Sequence, residues 1–160
     1  MQEVEYVLAP LDFSHECRTG LRAAIFLSRK LRVPLELLHV DARILSDAEE
    51  IMLRVSYKKY EEAERRLEAE AAKKMEEMAR EEGAGDLAAQ PSCSVLGGDC
   101  AETIIRHAHE RERCVIVMTK KSSSAVADLL YGSVTHKVVC HATVPVVVVH
   151  CQREGKEQQP

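Results

Sequence analysis

The sequence predicts an α/β fold, a five-stranded parallel open sheet with helices on both faces. Three observations predict it. Strand-like and helix-like segments alternate as β-α-β-α-β-α-β-α-β, the pattern of a layered α/β domain with right-handed crossovers. The strand segments are apolar nearly throughout instead of at every second position, as in strands covered on both faces. Polar or glycine-bearing breaks separate them from segments with a helical repeat.

The first strand is predicted over Val4 to Leu11 and ends in the polar break Asp12-Phe13-Ser14. Ser14 is placed to cap a helix of about Glu16 to Leu31. Leu21, Ala24, Ile25, Ser28 and Leu31 fall on one face of that helix, and Val33-Pro34 stops it. Leu35 to Val40 is the second strand. From Ala48 to Glu82 the chain reads as one long or interrupted helix, with Tyr60, Ala63, Leu67, Ala71, Met75 and Met78 at helical spacing. Its Glu, Lys and Arg residues form a solvated face.

Ser92 to Leu96 is the third strand, and Gly97-Gly98 follows it. Asp99 and Glu102 have capping-box spacing. The helix they open runs to about Arg111. Cys114 to Met118 is the fourth strand, followed by a polar loop, Thr119 to Ser124. A helix over Ser133 to His141 leads to the last strand, Val144 to Val149. We read residues 1–151 as one domain and 152–160 as a polar tail.

Composition excludes several classes. The 160 residues are 46% hydrophobic and 30% charged, as in a globular chain. The net charge of −4 and the scarcity of aromatics, with no Trp, argue against nucleic-acid binding. No apolar run is long enough to span a membrane, and the acidic start is unlike a signal peptide, so a cytoplasmic location is expected. Six cysteines without a CxxC pair read as reduced thiols. Cys114 is expected to be buried, and Cys17, Cys100 and Cys151 more reachable. Cys17, near a helix start, is a redox-sensor candidate, weighed against a plain first-turn residue. His136 and Cys140 have i, i+4 metal-sharing spacing, but further ligands are not identifiable and no metal site is assigned. No nucleophile, base and orienting group can be assembled around Ser122 to Ser124.

In an open parallel sheet, ligands bind beyond the carboxyl ends of the strands, where strand order reverses. Three strand ends look equipped: Pro10-Leu11-Asp12-Phe13-Ser14, His39-Val40-Asp41, and the Thr119 to Ser124 loop. Gly132-Ser133 opens a helix whose N–H groups and dipole favour phosphate, with Lys120 and Lys121 nearby. Taken alone, those residues are better read as a plain helix start beside a solvated lysine pair.

Together, these segments resemble the universal stress protein family over about Glu3 to His150. Val7 to Ser14 resembles its opening strand and acidic turn, Leu35 to Val40 its second strand, and Gly98-Asp99-Cys100-Ala101-Glu102 its G-D-P-A-E turn. The family signature G-x2-G-x9-G-[S/T] fits without a gap onto Thr119, Ser122 and Gly132-Ser133. His141 to Val149 resembles its closing H-A-x-x-P-V-L-V-V segment. The resemblance implies strand order 3-2-1-4-5 in an adenine-nucleotide α-hydrolase-like fold, and a homodimer through the last strand. It implies a pocket for ATP with accompanying Mg2+, comprising Pro10, Asp12, Val40, Met118, Thr119, Ser122, Gly132, Ser133 and Val134. Asp12 would meet the nucleoside, Val40 the adenine, and Gly132-Ser133 the phosphates.

The chain departs from that signature where its first two glycines stand as Thr119 and Ser122. If the loop needs positive φ there, a β-branched Thr costs about 1–3 kcal/mol, or roughly five- to 150-fold in affinity. Three functions are therefore weighed. One is a regulatory dimer of the stress response, binding adenine nucleotide weakly through a degenerate loop. The others are a slow ATP-hydrolysing enzyme and an interaction module that binds no nucleotide.

Overall fold

The computed structural model describes residues 3–44, 58–120 and 132–151. In chain order the elements are β1 (Tyr6–Pro10), α1 (Cys17–Leu31), β2 (Leu35–Asp41) and α2 (Lys58–Glu81). A single 3-10 turn (Ala84–Asp86) precedes β3 (Ser92–Gly97), α3 (Cys100–Arg111), β4 (Cys114–Lys120), α4 (Ser133–His141) and β5 (Val146–His150). The strands form one sheet in the order β3-β2-β1-β4-β5. Every pairing is parallel, with Leu8 opposite both Glu36 and Ile116, and Met118 opposite Val148.

The side-chain alternation of the strands explains their apolar sequences. Val7, Ala9, Leu35, Leu37, Val115 and Val117 point to one face, where Leu21, Ala24 and Ile25 of α1 and Met75 and Met78 of α2 cover them. Leu8, Leu38, Ile116 and Met118 point to the other face, against Ala101, Ile104 and Ala108 of α3 and Val138 of α4. A sheet buried on both sides leaves no polar period for a strand to display.

Helix starts follow their capping chemistry. Ser14 Oγ accepts from the Cys17 amide at 3.3 Å, so Ser14 caps α1 as predicted although regular helix begins at Cys17. Asp99 caps α3 by accepting from the Glu102 amide at 3.0 Å.

Several sequence expectations shift. The first strand is shorter than Val4 to Leu11. Leu31 leaves the buried face of α1 and is 48% exposed, because the chain turns away through Arg32 at φ 58°. Ala63 is also exposed. The predicted helix from Ala48 is seen from Lys58, and its earlier part lies outside the described residues. Thr119 and Lys120 continue β4 instead of opening a loop. The last strand starts at Val146. Pro145 precedes it, and its carbonyl accepts from the Ile116 amide at 2.9 Å.

One buried charge stands out. Glu36 on β2 is 3% exposed on the side of the sheet covered by α3. It accepts from Ser94 Oγ at 2.7 Å, His107 Nε2 at 2.9 Å and Arg111 at 2.9 Å.

Candidate functional site

Between β1 and β4 the strand order reverses, and a cleft of about 200 Å³ opens there beyond the strand ends. Each wall comes from a different element. Pro10 and Asp12 follow β1, Val40 lies near the end of β2, and Met118 and Thr119 lie near the end of β4. Gly132, Ser133 and Val134 open α4 on the far side. Eight of the nine residues named from sequence therefore share one cleft. The ninth, Ser122, lies outside the described residues.

Asp12 sits in a turn with a defined geometry. Its carboxylate accepts from the Ser14 amide at 3.0 Å and from Ser14 Oγ at 2.6 Å. Phe13 between them takes φ 60°, an uncommon value for a residue with a Cβ. Its ring stacks on His39, with centroids 4.3 Å apart, and the Lys74 ammonium lies 4.3 Å from the ring centroid. His39 Nδ1 is 2.8 Å from the Leu11 carbonyl, which can only accept, so Nδ1 carries the proton. These contacts anchor the acidic turn to β2 and α2.

At the opposite wall, α4 has Gly132 as its N-terminal flanking residue, without a side-chain cap. The amides of its first turn have no intrahelical acceptors, and the positive dipole end accompanies them. Val40 and Met118 supply apolar surface between the two ends. The arrangement suits a ligand with a flat apolar part, hydroxyls and an anionic group.

Thr119 differs most from its sequence-based expectation. It is a strand residue and is not among the positive-φ residues, so the strain expected of Thr in a glycine turn does not arise. Its Oγ1 accepts from the Gly20 amide of α1 at 2.9 Å. Its carbonyl accepts from Thr135 Oγ1 of α4 at 3.4 Å.

Cys17, Cys100 and Thr135 also line the cleft, although the sequence did not assign them to it. Each lies in the first turn of a helix that starts beside the strand ends, which is the signal that could have found them. Cys17 is buried, contrary to expectation, and burial pushes its thiol above the ordinary range. Against a redox role, such a thiol is a poor nucleophile near neutral pH. Cys114 is buried as expected, and Cys100 and Cys151 are half-buried. Asp41 does not line the cleft and pairs with Arg43 at 2.6 Å. His136 Nε2 and Cys140 Sγ lie 3.8 Å apart, but no cluster of three potential metal ligands occurs among the described residues. None of the described helices is long and apolar enough to cross a membrane.

An all-parallel 3-2-1-4-5 sheet with a cleft at its switch point defines a doubly wound α/β protein. The family model described as "Universal stress protein family" matches residues 4–150. The chain belongs to that family. It is similar to universal stress protein YxiE of Bacillus subtilis (strain 168), 27% identical over 145 residues, covering 89% of this chain and 97% of YxiE. A solved universal stress protein in complex with cAMP superposes with TM-score 0.63 at 15% identity, covering 93% of this chain and 98% of that one. The universal stress protein from Archaeoglobus fulgidus in complex with dAMP gives TM-score 0.57 at 20% identity, covering 92% and 98%.

Proposed function

We propose that this universal stress protein is a regulatory nucleotide-binding protein of the cytoplasm whose cleft takes an adenine nucleotide. The observation that carries the reading is the meeting of the Asp12 turn and the α4 N-terminus across one cleft at the switch point. The adenosine lies against Val40 and Met118, Asp12 accepts from a ribose hydroxyl, and phosphate meets the amides of Ser133 and Val134. The solved complexes with cAMP and dAMP support an adenine nucleoside monophosphate as the ligand class.

Calorimetric titration with AMP, and with ATP with and without Mg2+, tests the reading. Saturable binding that weakens about tenfold in Asp12→Ala is expected, the order of one lost hydrogen bond to a charged group. Binding without phosphate release keeps the protein a sensor, whereas sustained release from ATP makes it a slow hydrolase. A flat isotherm with every nucleotide overturns the reading and leaves an interaction module.

We also infer a homodimer through the last strand. β5 pairs only with β4, and no other described strand covers its outer edge. Val147 is 37% exposed there. An apolar edge of that kind invites pairing with a second copy. Sedimentation equilibrium should give a dimer for the native chain and a folded monomer for Val147→Lys. A native monomer at tens of micromolar protein would refute the dimer.

A further inference from the structure

We propose that Thr119 is the positioning residue of the cleft, holding the start of α4 in register with the start of α1 and so setting where a ligand's phosphate sits relative to Asp12. This rests on the nucleotide reading above and deepens it.

Three elements converge on the residue. Thr119 is paired with Val149 in the sheet. Its Oγ1 accepts from the Gly20 amide at 2.9 Å, which fixes α1 against the end of β4. Its carbonyl accepts from Thr135 Oγ1 at 3.4 Å, which fixes α4. Gly20 makes the first of these bonds possible. A Cβ at that position would lie 2.4 Å from Thr119 Oγ1, closer than two such atoms approach.

Both tethered helices carry parts of the cleft. Thr135 is buried in the first turn of α4, two residues after Ser133. Cys17, one turn before Gly20, receives its cap from Ser14, which in turn donates to Asp12. The chain of contacts runs from the Asp12 turn through α1 to Thr119 and on to the anion-binding end of α4. A glycine at residue 119 would keep the carbonyl bond and lose the hydroxyl bond. The side chain that interrupts the family signature therefore performs a task that a glycine there could not.

The test compares AMP with adenosine, which differ only in the phosphate. Calorimetry on the native chain, Thr119→Ser and Thr119→Val reads both affinities, and amide exchange reads the Gly20 N–H. Thr119→Ser keeps the hydroxyl and should bind AMP within about twofold of native. Thr119→Val keeps the shape without the acceptor. It should lose roughly tenfold for AMP and about twofold for adenosine, with faster Gly20 exchange. Equal losses for the two ligands, or no loss, overturn the positioning role while native binding stands. A native chain that binds neither ligand overturns the nucleotide reading, and the positioning role with it.

Discussion

Glu36→Ala should lower the unfolding free energy by about 3 kcal/mol at neutral pH, read by urea denaturation. The carboxylate is nearly inaccessible and holds three donors from two other elements, Ser94 on β3 and His107 and Arg111 on α3. Its removal leaves His107, 8% exposed, without an acceptor in an apolar layer. Arg111 is half-exposed and recovers solvation, which keeps the loss below the upper end for a broken buried pair. The Arg111 guanidinium also lies 5.7 Å from the centroid of the Tyr6 ring, so it retains a partner.

The same group gives the protein an acid dependence of defined sign. Burial alone would raise the Glu36 carboxyl, but the hydrogen bonds from His107 and Ser94 and the nearby Arg111 outweigh it. The carboxyl sits below its ordinary 4.5. The folded chain therefore holds the ionised form more tightly than the unfolded chain does. That contribution is complete above pH 4.5 and is lost as pH falls through the folded value. Native protein should lose stability more steeply below about pH 5 than Glu36→Ala does. Parallel acid profiles for the two chains would contradict the network.

The sheet was legible because its physics is local. Strands covered on both faces are apolar at most positions, and Val115-Ile116-Val117-Met118 has that pattern without a break. The caps were legible too, since Ser14 and Asp99 need only the residues three positions on. Leu31 was misread because helical periodicity continues to the last residue, whereas burial ends where Arg32 turns the chain. The Glu36 network was hidden by distance in sequence. Its partners lie 58, 71 and 75 residues away, although His107 and Arg111 at i, i+4 on one helix were a usable signal.

The site was legible as a set of strand ends and one helix start, because topology alone delivers those to the switch point. The role of Thr119 was not. Aligned with a glycine signature, it reads as a damaged turn. Its hydroxyl instead meets a backbone amide 99 residues away, and nothing near Thr119 in the chain announces that. Gly20 was the other half of the message. A glycine inside a helix costs about 1 kcal/mol against alanine, so its presence in the second turn of α1 calls for a reason in three dimensions.

That reason yields the second large effect. Gly20→Ala should destabilise the protein by about 2 kcal/mol despite the better helix propensity of alanine. The new Cβ would meet Thr119 Oγ1 at 2.4 Å, with the Thr119 amide nitrogen at 3.4 Å and the Met118 carbonyl carbon at 3.5 Å behind it. Thr119 is short and β-branched, so the clash is relieved only by rotating its hydroxyl off the Gly20 amide or by moving α1 away from β4. Both routes forfeit the 2.9 Å bond. In a Thr119→Gly background the obstructing oxygen is gone, and the remaining contacts are ordinary packing distances. There Gly20→Ala should be neutral or slightly stabilising, giving a coupling of about 2 kcal/mol in the double-mutant cycle. If Gly20→Ala costs the same in both backgrounds, the glycine is retained for something other than the threonine it faces.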